Sequence, residues 1–190
     1  MVRHFLPCEG HKKMENSRPH ITWKRRTRRE IQKARRTVIL GVGNKTRGDD
    51  AAGIVCSGKL KKSLRGKARS RLKISFGYES PESLTGEIRK FDPDLVLILD
   101  AAVGPHGPGA VFLVEKGRIA NEGFSTHKLS LALFVRYLEE SIGCKVMVLG
   151  IQPETIGFNV RANELSDPVK KSVNTLAEFL SKTLAKKYRI

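Results

Sequence analysis

The sequence predicts an α/β fold, a three-layer sandwich in which a twisted, mostly parallel sheet of about five strands lies between helices. Three observations predict it. Val38 to Leu40, Leu95 to Leu99 and Lys145 to Ile151 are short aliphatic runs of the kind that form strands buried on both faces of a parallel sheet. The first of them passes through Gly41 and Gly43 to the acids Asp49 and Asp50 and then to Ala51, Ala52, Ile54 and Val55, a strand-loop-helix unit. Beyond it, helical spacing recurs in Leu131, Phe134, Val135 and Leu138, and in Val169, Val173, Leu176, Leu180 and Leu184.

Taken in order, the first helix is expected from about Asp50 to Leu64, followed by a basic turn and a strand in which Leu72, Ile74 and Phe76 alternate. Ser80 and Pro81 open a short helix, with Ser80 as its cap. Phe91 to Asp94 is a turn, and Leu95 to Leu99 is the central strand, ending at Asp100. A loop rich in glycine and proline precedes Ala110 to Val114, a strand expected at an edge or antiparallel because only a short connection leads into it. Ser125 or Thr126 caps the next helix, with His127 in its first turn. The strand ending at Ile151 is followed by Gln152, a candidate for orienting a substrate, and Asp167 caps the last helix with Pro168 in its first turn.

A chain of 190 residues is long enough for one well-buried core, and a hydrophobic fraction of 39% is that of a globular domain. No apolar run approaches the length of a membrane helix, so membrane insertion is not expected. Cys8, Cys56 and Cys144 form no Cys-x-x-Cys pair and are odd in number, which fits a reducing compartment; with no secretory signal at the N-terminus, the expected location is cytoplasmic. The net charge is +17, and residues 1 to 36 carry +9 of it, twelve Lys and Arg against three Glu. Residues 1 to 35 are therefore set apart as a basic, disordered extension, and residues 36 to 190 as the folded domain. The extension is either a solvated tail or an arm with weak electrostatic contact to nucleic acid.

The loop after the first strand excludes two nucleotide sites. A dinucleotide fingerprint needs a glycine where Thr46 stands, and no Gly-Lys-Ser or Gly-Lys-Thr triplet is present for a phosphate loop. Its two acids instead attract a metal or a cationic group. Asp50, Asp100 and His127 fall on three strand-end loops, the edge at which open α/β sheets place their ligands. Two carboxylates and an imidazole suit nickel, zinc, iron or cobalt better than magnesium or calcium, and three ligands leave positions open for a substrate. No Ser-His-Asp pattern or Cys beside His competes as a nucleophile.

These residues carry a family resemblance. Gly41-Val-Gly-Asn44 with Gly48-Asp-Asp50, Asp100-Ala101 followed by Gly107-Pro-Gly109, Ser125-Thr-His127 and Gly150-Ile-Gln-Pro153 stand in the order found in the hydrogenase maturation proteases. From about Thr37 to the last helix the chain resembles that family, and most closely its formate-hydrogenlyase and coenzyme-reducing branch. The resemblance implies an endopeptidase that removes the C-terminal extension from a nickel-iron hydrogenase large-subunit precursor. It implies Asp50, Asp100 and His127 as both catalytic and metal-contacting residues, with nickel supplied by the precursor and no organic cofactor. Asp50 stands where some relatives have Glu, a shorter arm of the same ligand type. Two other readings are an amide or peptide hydrolase of similar fold with its own metal, and a non-enzymatic nickel- or nucleic-acid-binding module.

Overall fold

The computed structural model describes residues 19–64, 70–115, 117, 128–157 and 164–189. Helix α1 (Pro19–Lys33) leads into β1 (Thr37–Val42), a 3-10 turn (Gly48–Ala51) and α2 (Ala52–Ser63). Strand β2 (Leu72–Tyr78) is followed by a 3-10 turn (Pro81–Leu84) and α3 (Thr85–Phe91), then β3 (Leu95–Ala101) and β4 (Val111–Leu113). Helix α4 (Lys128–Tyr137) runs on into a π-helical turn (Leu138–Ile142) before β5 (Lys145–Ile151) and α5 (Asp167–Tyr188). The sheet order is β2-β1-β3-β5-β4, parallel throughout except for β4, which pairs antiparallel with β5 at the edge.

Strict alternation along the strands builds the three layers. Ile39, Leu95, Leu97 and Leu99 face one side and pack with Leu60 of α2 and with Val173, Leu176 and Leu180 of α5. Val38, Leu40, Val96 and Ile98 face the other and pack with Ile88 and Phe91 of α3 and Leu131, Phe134 and Leu138 of the α4 region. Because both faces of β1 and β3 are covered, every residue of these strands is buried. Among the described residues no helix is long and apolar enough to cross a membrane.

Three expectations need correcting. The helix after β1 begins at Ala52 rather than Asp50, because the acids sit in the 3-10 turn. The N-cap of α5 is Ser166, one residue before the expected Asp167, which instead opens the helix beside Pro168. The largest difference lies in the basic segment. Residues 1–18 are outside the described residues, but 19–33 form α1, which packs on the same face as α5. Its Trp23 is 3% exposed and meets Phe179 edge to face at 5.3 Å, and Ile31 is fully buried. Glu30, also buried, accepts bonds from Arg29 and from Lys145 of β5, each at 2.9 Å. Burial works against its charge, but those bonds outweigh it and hold the carboxyl below its ordinary value. The charge count concealed this helix: its apolar residues are few, and the long basic side chains between them point outward.

Replacing Trp23 with Ala is expected to lower stability by about 3 kcal/mol. Urea unfolding with a midpoint equal to that of the unaltered protein would return α1 to the status of an appendage.

Candidate active site

The site is built where β1 and β3 end side by side. Gly41 is paired with Leu99, so the chain leaves β1 beside Asp100, the penultimate residue of β3. The exit needs glycine. Gly43 has φ +133°, and a Cβ there would lie 1.9 Å from the carbonyl oxygen of Asp50. The loop then folds over itself: Asn44 Oδ1 accepts bonds from the Thr46 amide (2.7 Å) and hydroxyl (2.6 Å). The first turn of α2 closes the arrangement, because a Cβ on Gly53 would stand 2.1 Å from the Leu99 carbonyl and 2.5 Å from that of Val42.

The two acids delivered by this turn, both buried, have different surroundings. Asp49 accepts bonds from the Glu154 amide (2.9 Å), the Thr155 amide (3.2 Å), the Ser166 amide (2.7 Å) and the Ser166 hydroxyl (2.8 Å). It is a fastening between the β1 loop and the β5-α5 connection, and it employs the cap residue of α5. Asp50 accepts a bond from the Asn44 amide at 3.3 Å and lies within the exit loop of β1. Asp100, paired with Gly150 of β5, is fully buried on the neighbouring strand. Asp50, in the turn that follows β1, and Asp100, near the end of the neighbouring β3, both lie at the carboxyl edge of the sheet.

The third expected member, His127, lies outside the described residues; α4 begins at Lys128, immediately after it. Among the described residues no three of His, Cys, Asp and Glu form a group able to hold a metal ion. Gln152 ties loops together at the same edge. It is buried, its Oε1 accepts the Gly104 amide at 2.7 Å, and its backbone exchanges bonds with Gly109 and Ala110 at 2.8 Å. It shapes the β3-β4 loop. His106, not singled out by sequence pattern, rests against the Phe112 ring at 4.7 Å in that same loop.

The two cysteines among the described residues are unsuited to nucleophilic chemistry. Burial pushes the Cys56 thiol up to about 12 and that of Cys144 to about 11, from an ordinary 9.0.

Comparison with solved structures shows the class. The fold superposes on HybD, the hydrogenase maturating endopeptidase of Escherichia coli, with a TM-score of 0.65 at 24% identity over 80% of this chain and 93% of that one. The [NiFe] hydrogenase maturation protease HycI from Thermococcus kodakarensis matches with a TM-score of 0.72 and 31% identity, over 83% of this chain and 97% of its own. In sequence, the Hydrogenase 3 maturation protease of Escherichia coli K12 is 32% identical over 144 residues, 75% of this chain and 87% of the relative. The family profile described as HycI, hydrogenase maturation protease, matches residues 58–183. The chain belongs to the hydrogenase maturation protease family, and it is an enzyme of the peptide-bond hydrolase class.

The two acids should separate in measurement. Asp49→Ala is expected to cost about 3 kcal/mol of stability, since several buried donors lose their acceptor. Asp50→Asn should abolish peptide cleavage while changing stability by no more than about 1 kcal/mol; paired thermal melts and cleavage assays check both. For the thiols, an alkylating reagent at pH 8 should leave Cys56 and Cys144 unmodified in the folded protein and label both after unfolding, as read by peptide mass mapping.

Proposed function

We propose that this enzyme removes the C-terminal extension of a nickel-iron hydrogenase large-subunit precursor after nickel has been inserted, and that it recognises the nickel carried by that substrate. The observation that supports this reading best is the pair of fully buried carboxylates, Asp50 in the turn that follows β1 and Asp100 near the end of the adjacent β3, in a chain of this family. Similarity to the Hydrogenase 3 maturation protease of Escherichia coli and to HycI of Thermococcus kodakarensis supports placing the chain in the HycI-type branch.

In this reading nickel is part of the substrate. Asp50, Asp100 and His127 complete its ligand shell, an oxygen and nitrogen set suited to the ion. The scissile carbonyl is thereby held at the edge of the sheet and polarised. Water adds to the carbonyl carbon and gives a proton to an aspartate, which returns it to the departing amine as the carbon-nitrogen bond breaks. The reaction calls for no organic cofactor, and the aspartates make it an aspartic-type endopeptidase. The free, buried thiols of Cys56 and Cys144 support a cytoplasmic setting.

The test incubates the enzyme with nickel-loaded and nickel-free precursor and follows the tail by mass. The nickel-loaded form alone should be clipped, and Asp50→Ala, Asp100→Ala and His127→Ala should each slow clipping by at least about a hundredfold. Equal clipping of both precursors would remove nickel from the recognition step. A tightly held stoichiometric metal in the isolated enzyme would make the metal resident instead.

A further inference from the structure

Among the described residues three large apolar side chains are exposed, Tyr78 at 45%, Val103 at 48% and Leu133 at 60%. Leu133 lies on α4. The other two sit at the carboxyl edge of the sheet: Tyr78 is the last residue of β2, and Val103 follows β3 by two residues. Since β1 lies between β2 and β3, Tyr78 and Val103 stand on either side of the strand end that delivers Asp50.

Tyr78 is also held in a costly conformation. Its φ is +47°, a left-handed value that glycine adopts readily and an aromatic residue seldom does. Its ring touches Phe76 at 6.2 Å in a tilted arrangement, and the Lys45 ammonium lies 5.0 Å from its centre, yet nearly half of the residue remains exposed. Strain of this kind, not repaid by burial, is characteristic of ligand-gripping positions. The segment is tied directly to the reactive loop. The Tyr78 carbonyl accepts the Gly43 amide at 3.0 Å, and Glu79 Oε1 accepts the Asn44 side-chain amide at 2.8 Å. Asn44 in turn donates its backbone amide to Asp50.

We infer that Tyr78 and Val103 are the two walls of a peptide-binding channel, each receiving an apolar side chain of an extended substrate segment whose scissile bond lies between them. From β2 to β3 is two strand spacings, about 10 Å, and an extended peptide covers that in about three residues. The channel thus selects apolar side chains about three positions apart, flanking the cut. The Lys45 ammonium holds the Tyr78 ring, 5.0 Å from its centre and 3.5 Å from its hydroxyl. This inference rests on the protease reading given above.

The experiment measures two quantities. One is the anisotropy-detected binding of a fluorescently labelled synthetic peptide spanning the precursor's cleavage segment. The other is the KM and kcat for clipping the nickel-loaded precursor. Tyr78→Gly, which the positive φ accommodates without strain, is expected to weaken peptide binding and raise KM about tenfold with kcat nearly unchanged, and Tyr78→Phe to restore both. Leu133→Ala, at the exposed apolar residue of α4, should leave both values alone. Normal clipping with KM and peptide affinity unchanged in Tyr78→Gly would overturn the channel and leave the protease reading standing. Peptide binding that depends on Tyr78 without clipping of any precursor would support the channel and overturn the protease reading. Neither binding nor clipping by the unaltered enzyme would overturn both.

Discussion

The closeness of α2 to the ends of β1 and β3 is the constraint on which the rest of the architecture depends. A single methyl group on Gly53 would overlap two strand carbonyls at once, and one on Gly43 would overlap the backbone of Asp50. With those methyls absent, the 3-10 turn is pressed down on the sheet, and its two acids are buried where solvent would otherwise surround them. Burial of charge is tolerated only with donors or counter-charges nearby. For Asp49 the donors come from the β5-α5 connection, so the same close contact at the carboxyl edge also fixes the start of α5.

Adjacent acids in a sequence invite a joint interpretation, and here they divide the work. Asp49 faces the backbone amides of the chain that follows β5, while Asp50 accepts the Asn44 amide within the loop it belongs to. Nothing in the Asp49-Asp50 dipeptide distinguishes them. The distinction resides in Ser166, more than a hundred positions away, whose amide and hydroxyl both turn to Asp49. The same holds for Gln152: its position after a buried strand is legible, but whether its amide looks outward or back into the protein depends on Gly104, in another loop.

The strands were readable because their pattern is local. Val38 to Leu40, Leu95 to Leu99 and Lys145 to Ile151 all became parallel strands, and Val111 to Leu113 became the antiparallel edge that its short approach suggested. That the turn carrying Asp50 and the end of β3 carrying Asp100 meet at one edge follows from the pairing of β1 with β3, which no single segment encodes. Helix α1 escaped detection for the opposite reason. Between residues 19 and 33 the basic side chains dominate any average, and the stripe formed by Trp23 and Ile31 gains meaning only against Phe179 and the rest of the α5 face.

The contact between α1 and α5 has an optical consequence. Trp23 is the only tryptophan in the chain, enclosed beneath a lysine ammonium 5.4 Å from its ring and against the edge of Phe179. Its emission therefore reports one event, the seating of the N-terminal helix on the body of the enzyme. The protein carries its own fluorescent gauge of whether that helix stays in place while a precursor is bound and released.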